Sequence, residues 1–83
     1  MQEQIKILRK EIDLLDAEII RLISERFQIS NKIINIKKML GKEIYDKSRE
    51  EEIISRLIEI TNIPADSVKN IYISILNESK IDN

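Results

Sequence analysis

The fold is decided by residues 3–40, EQIKILRKEIDLLDAEIIRLISERFQISNKIINIKKML, a stretch that contains neither glycine nor proline. Its apolar residues recur at steps of three and four, at Ile5, Leu8, Ile12, Leu15, Ile19, Leu22, Ile29, Ile33, Ile36 and Leu40. This spacing predicts one apolar stripe along a single helix of about 55 Å. The stripe is interrupted at position 26, which holds Arg26. A permanently charged side chain at such a position indicates a buried ion pair, an arginine that sets the helix register, or an anion-binding arginine.

The composition limits the class of protein. The 83 residues make one domain at most, residues 1–83. They include no cysteine and no histidine, which excludes disulfides and the common zinc sites and leads us to expect a cytoplasmic location. The net charge of −1 argues against a nucleic-acid-binding protein. The chain also lacks an apolar run long enough to predict a membrane-spanning helix.

The remainder of the chain predicts two shorter helices and therefore an all-α fold. Gly41 is expected to end the long helix, as glycine commonly does in a left-handed conformation. Asp46 is a suitable N-cap for a helix over about 46–60, and Pro64 suits the first position of a helix over about 64–81. The residues that follow the long helix are too few to cover it, so it needs a second copy or another partner.

Two further basic residues on the long helix can be related to Arg26 by helical geometry. Lys37 lies 11 residues after Arg26, close to three turns, so that both side chains share a face and lie about 16 Å apart at the backbone. Lys37 could alternatively complement the negative end of the helix. Arg9 lies roughly 25 Å before Arg26 and points about 100° away from it. Only an antiparallel partner helix could bring its Arg9 to the same ligand; otherwise Arg9 is an ordinary surface residue.

The two shorter helices carry polar residues for which two interpretations remain open. Asp46, Arg49 and Glu50 form a polar cluster in the first turn of the second helix. They either cap that helix or help to bind a polar ligand beside its free N–H groups. Ser79 and Asn83 extend the apolar face of the third helix, and their default interpretation is a frayed, solvent-exposed terminus.

Three segments in this order resemble the all-helical chorismate mutases of the small dimeric type. They are LRKEIDLLDAEIIRLISER at 8–26, IKKMLGKEIYDKSREEEIISRL at 36–57 and ILNES at 75–79. The resemblance implies an intertwined homodimer with antiparallel long helices, in which each active site takes one arginine from the partner. It implies the Claisen rearrangement of chorismate to prephenate, on the shikimate route to aromatic amino acids. This reaction uses no metal and no cofactor.

The resemblance also assigns substrate-contacting residues, which are Arg9, Arg26, Lys37, Asp46, Arg49, Glu50, Ser79 and Asn83. By this assignment Arg26 and the partner subunit's Arg9 bind the two carboxylates of chorismate. Lys37 and Asn83 donate hydrogen bonds to the ether oxygen, and Glu50 accepts one from the ring hydroxyl. These residues supply the electrostatic stabilisation that the rearrangement needs.

The remaining assigned residues line the same site. The resemblance implies that Arg49 borders the substrate, that the backbone near Asp46 supports the ring hydroxyl, and that Ser79 contacts a carboxylate. Asn83 departs from the family pattern, because relatives usually have the longer Gln or Glu at the matching position.

Two alternatives to a chorismate mutase are compatible with the sequence. Some proteins of the same fold are isochorismate pyruvate lyases, which eliminate pyruvate from isochorismate to give salicylate. A non-catalytic helical dimerisation module would also explain the long amphipathic helix, but it leaves Arg26 without a role.

Overall fold

The regular secondary structure of residues 1–80, which are the residues that the computed structural model describes, is entirely α-helical. Helix α1 spans Gln2–Met39, α2 spans Lys47–Glu59 and α3 spans Ala65–Glu78, and α2 packs against α3. The predicted all-α fold, with one long and two shorter helices, is confirmed. None of these three helices is long and apolar enough to cross a bilayer.

Helix α1 has two halves that differ in burial. Every residue of its first half, 2–22, is exposed, including the apolar ones. In the second half a covered stripe contacts the rest of the chain and consists of Ile23, Arg26, Phe27, Ser30, Ile33, Ile34 and Lys37. Arg26 therefore belongs to this covered stripe, at its border with the exposed apolar stripe that predicted the helix. The chain covers only one side of one half of α1.

The core within one chain is small. Its buried apolar residues are Ile34 of α1, Ile53 of α2, and Val68 and Leu76 of α3. Ile53 is the most enclosed of them, with 1% of its surface exposed. So few buried residues leave a single chain marginal in stability.

The overall dimensions show how little of α1 is covered. The chain extends 58 Å, and its radius of gyration is 16.4 Å, against about 12 Å for a compact domain of this length. Its accessible surface is 6939 Å², about 1,700 Å² more than the roughly 5,200 Å² of a compact monomer of the same mass. Much of this excess belongs to the exposed half of α1.

Gly41 ends α1 in the way the sequence predicted. Its φ of 68° is in the left-handed region. This turn lets the Lys42 N–H donate to the Lys37 carbonyl at 2.8 Å and the Gly41 N–H donate to the Lys38 carbonyl at 3.2 Å. These two bonds form the Schellman motif, which satisfies carbonyls that a helix end otherwise leaves unpaired.

The starts of α2 and α3 are built differently. Asp46 is the N-cap of α2, as predicted, and its Oδ1 accepts a hydrogen bond from the Arg49 N–H at 3.1 Å. Pro64 is the N-cap of α3 rather than its first helical residue, because its ψ of 141° is not helical. The Pro64 carbonyl nevertheless accepts the first helical hydrogen bond, from Val68 at 3.1 Å.

Helix α3 ends at Glu78, three residues before the position expected from the sequence. The cause is Lys80, whose φ of 62° takes the backbone out of the helical region. The regular helical spacing that related Ser79 to Asn83 therefore stops before Asn83. Asn83 itself lies outside the described residues.

Replacing Gly41 tests the contribution of the left-handed turn to stability. We expect Gly41→Ala to lower the free energy of unfolding by about 1–2 kcal/mol, because a left-handed conformation is unfavourable for a residue with a Cβ. No atom lies within 4 Å of a Cβ built at this position, so the backbone conformation alone sets the loss. Urea unfolding at fixed protein concentration measures it. Gly41→Asn should lose less, and equal stability of Gly41→Ala and wild type would contradict this account.

Candidate active site

Arg26 is half-buried between α1 and α3 and has no ion-pair partner among residues 1–80. Its Nη1 donates a long hydrogen bond of 3.4 Å to the hydroxyl of Ser30, one turn along α1. Its guanidinium carbon lies 5.6 Å from the centre of the Tyr72 ring, on α3. Within the described chain, Arg26 is thus not part of a buried ion pair. A partly desolvated cation without an internal counter-ion is suited to an anionic ligand.

Lys37 connects the end of α1 to the loop that precedes α2. It is half-buried on the same covered stripe as Arg26. Its Nζ donates to the Ile44 carbonyl at 3.0 Å, two residues before the N-cap Asp46. Lys37 therefore does more than neutralise the end of its own helix, since it brings a second cation to the start of α2.

The first turn of α2 brings together an ion pair and a carboxylate that has no partner in the described part of the chain. Arg49 donates from Nη1 to Glu52 Oε1 at 2.5 Å, and 62% of the Glu52 side chain is exposed. An exposed pair of this kind contributes little to stability and can rearrange. The half-buried Glu50 carboxylate has no hydrogen-bond partner within residues 1–80 and so can accept a hydrogen bond from a ligand.

Ser79 is buried, which overturns its default interpretation as a frayed surface residue. Only 4% of its surface is exposed, and its hydroxyl donates to the Ile75 carbonyl at 2.7 Å. A hydroxyl has one donor and two lone pairs, and it can rotate. Ser79 can therefore donate to a ligand only after its hydroxyl leaves Ile75.

Arg9 lies on the exposed half of α1, away from the other candidates. It lines a shallow depression with Gln2, Ile5 and Lys6. The continuous helix from Gln2 to Met39 keeps it roughly 25 Å from Arg26. One chain alone does not bring Arg9 to the site.

The solvent-exposed side of α1 carries charges that pair with each other. Arg21 forms ion pairs with Glu18 and Glu25, one turn away in each direction. The hydrogen bond and the charge of Arg21 lower the pKa of Glu18. All three side chains are more than half exposed, which is typical of a solvated helix face.

Two residues beside Arg26 were not predicted from the sequence. Ser30 follows Arg26 by four residues, a spacing that places two side chains on one helix face, and this signal could have identified it. Tyr72 is on another helix, and no sequence spacing relates it to Arg26.

Two relatives found by comparison with known proteins have names that include chorismate mutase. The chain is 33% identical over 81 residues to the bifunctional chorismate mutase/prephenate dehydratase of Aquifex aeolicus, covering 90% of this chain and 22% of that protein. It is 39% identical over 57 residues to the chorismate mutase of Methanocaldococcus jannaschii, covering 69% of this chain and 58% of that protein. The chain thus spans less than two thirds of the length of these relatives.

A solved structure and a family model extend this similarity to the fold. The structure of chorismate mutase (form II) from Thermus thermophilus matches with a TM-score of 0.90 and 33% identity, covering 93% of this chain and 90% of that one. The family model for chorismate mutase type II matches residues 8–81. That match includes α2, α3 and most of α1. The chain therefore belongs to the chorismate mutase type II family.

Proposed function

We propose that residues 1–83 form a single chorismate mutase domain, which converts chorismate to prephenate and works as a homodimer. Membership of the chorismate mutase type II family supports the reaction. The observation that carries the proposal is Arg26, a half-buried cation with no counter-ion in the described chain, on the same covered stripe as Lys37. Two cations on one face suit a substrate with two carboxylates.

The rearrangement explains why such a site can work without a nucleophile or a base. Within one chorismate molecule the ether C–O bond breaks while a new C–C bond forms, and no atom is transferred to the enzyme. The protein has to hold the substrate in its folded conformation and stabilise the negative charge that develops on the ether oxygen. Fixed cationic hydrogen-bond donors meet both requirements.

The described contacts agree with distinct roles for the principal residues. The planar guanidinium of Arg26 can bind a carboxylate through two N–H groups. Lys37 donates to the Ile44 carbonyl at the start of α2, and its ammonium group is proposed to donate to the ether oxygen as well. Glu50 can accept from the ring hydroxyl, because its carboxylate has no other partner in the described chain.

The remaining site residues are proposed with them. Arg49 borders the substrate, where its exposed ion pair with Glu52 can open. The backbone around Asp46 supports the ring hydroxyl, and Ser79 contacts a carboxylate once its hydroxyl turns from Ile75. Asn83 is the second donor to the ether oxygen.

A homodimer is proposed because the accessible surface of the chain is larger than that of a compact monomer of the same mass. The excess of about 1,700 Å² lies within the roughly 1,000–2,500 Å² that each subunit of an obligate homodimer buries. Besides the exposed stripe of α1, the α2–α3 pair carries an apolar groove of about 190 Å³, lined by Leu57, Ile60, Thr61, Ile63, Val68, Ile71 and Tyr72. A partner's α1 would cover this groove.

The proposed dimer also completes the site. An antiparallel pair of α1 helices related by a two-fold axis brings the partner subunit's Arg9 beside Arg26 when residues 9 and 26 face each other. The same symmetry makes a second, identical site. Without a partner each site lacks one of its two carboxylate-binding arginines.

Removing either principal cation should abolish most of the activity. We expect Arg26→Ala and Lys37→Ala each to lower kcat/KM by about 10²–10³-fold, as removal of one charge-stabilising donor does in other enzymes. The assay follows the loss of chorismate absorbance and identifies the product as prephenate. Arg21→Ala and Lys38→Ala are matched controls on the same helix and should retain activity. Full activity of Arg26→Ala would contradict the assigned site.

The same assay separates the alternatives. A wild-type protein that leaves chorismate unchanged but converts isochorismate to salicylate and pyruvate is a lyase. A protein that acts on neither substrate, and whose melting temperature does not rise with a dicarboxylate transition-state mimic, is a dimerisation module.

The exposed stripe of α1 predicts which leucine holds the dimer together. Leu15 lies on the exposed stripe, whereas Leu14 lies about 100° around the helix from it. Both leucines are exposed in the single chain, Leu15 by 61% and Leu14 by 74%. We expect Leu15→Glu to shift the protein from dimer to monomer at micromolar concentration, because it buries a charge in the interface. Leu14→Glu should remain dimeric. Sedimentation equilibrium measures both masses, and a dimeric Leu15→Glu would exclude this stripe as the interface.

Mixing two inactive variants tests whether Arg9 acts across the interface. Arg9→Ala and Arg26→Ala homodimers carry one lesion in every site, but their heterodimer has one intact site and one with both lesions. After subunit exchange we expect about a quarter of wild-type activity to return. A mixture of Arg26→Ala with Lys37→Ala should recover none, because both residues come from the same chain. No recovery in the first mixture would rule out a contribution of Arg9 from the partner.

A further inference from the structure

Tyr72 lies where it can control the orientation of Arg26. Its ring is half-buried on α3, and the guanidinium carbon of Arg26 is 5.6 Å from the ring centre. At this distance a cation is attracted by the electrons of an aromatic face. We propose that Tyr72 is a positioning residue that holds the Arg26 guanidinium ready for a carboxylate. The effect on catalysis rests on the proposed function, whereas the contact itself does not.

Arg26 needs such support because it has few other restraints. An arginine side chain loses considerable rotamer entropy when it is fixed in one conformation. The bond to Ser30 is long, at 3.4 Å, and therefore weak. No acidic side chain of residues 1–80 pairs with Arg26. The Tyr72 ring is consequently the principal contact that restricts the guanidinium in the described chain.

An aromatic contact has an advantage over an ion pair at this position. A carboxylate partner would occupy the N–H fork of Arg26 and neutralise its charge. A ring contacts the guanidinium through its face, so the charge and most of the in-plane N–H donors remain available to a ligand. Ser30, which is 1% exposed, engages one of these donors and limits rotation in the plane.

Tyr72 also lines the apolar groove of the α2–α3 pair, which offers a way to separate two effects. Ile71 lines the same groove, but it has no aromatic ring and makes no side-chain hydrogen bond to Arg26 in the described chain. A substitution of Ile71 therefore perturbs the groove without removing the ring that contacts Arg26. The second tyrosine of the chain, Tyr45, is exposed and serves as a control for loss of an aromatic ring.

Nuclear magnetic resonance of the Arg26 Nε–Hε group tests the contact without any assay of activity. In the wild type, the ring current of Tyr72 should shift this resonance away from that of solvent-exposed arginines. Tyr72→Phe should keep the shift and Tyr72→Leu should abolish it, while Ile71→Ala and Tyr45→Leu should preserve it. An unshifted resonance in the wild type overturns the proposal, even if Tyr72→Leu fails to fold. An unchanged resonance in Tyr72→Leu overturns it too.

Kinetics then test whether the contact acts through Arg26. We expect Tyr72→Leu to lower kcat/KM by about three- to thirtyfold, the range of a cation–π contact, and Tyr72→Phe to stay within about twofold of wild type. In an Arg26→Ala background Tyr72→Leu should cause no further loss. If the double variant instead loses activity by the product of the two single losses, Tyr72 acts independently of Arg26, and the proposal is overturned. A wild type without mutase activity refutes the proposed function, and the resonance then decides whether Tyr72 holds Arg26.

Discussion

The length of α1 is the constraint on which the rest of the structure depends. Its helix runs without interruption from Gln2 to Met39, while the residues after it form only two short helices in the described chain. These pack on one side of the second half of α1 and leave the first half, residues 2–22, uncovered. Apolar side chains on an exposed helix are stable only when something else buries them. The proposed second subunit would bury these side chains as well as supply Arg9.

The border between the covered and exposed sides of α1 is also where its chemistry lies. Arg26 is half-buried there, so its charge interacts more strongly with an opposite charge than it would in water, but the desolvation is incomplete. Its neighbours in the described chain are a hydroxyl and an aromatic ring, neither of which neutralises it. Lys37, on the same stripe, is half-buried and donates to the carbonyl of Ile44. The arrangement places positive charge beside a surface that the proposed partner would enclose.

Sequence patterns identified the parts of the structure that depend on local chemistry. The apolar stripe predicted α1 and with it the all-α class. Gly41 was correctly identified as the residue that ends α1, and Asp46 as the N-cap of α2. Contacts between helices were not predictable in this way, since the periodicity of α1 says nothing about which α3 residue meets Arg26. The end of α3 was misjudged because lysine seldom adopts the left-handed conformation found at Lys80.

The continuity of α1 limits where residues can be inserted into or deleted from this chain. Arg26 and Lys37 are separated by 11 residues of uninterrupted helix, so one inserted residue would rotate Lys37 by about 100° relative to Arg26. The loop before α2 is constrained as well, because Ile44 binds Lys37. The connection between α2 and α3 has neither restriction, since it lies outside both contacts. Insertions and deletions should therefore be excluded between the two cations, whereas in the α2–α3 connection they would leave both contacts intact but alter the groove that Ile60, Thr61 and Ile63 line.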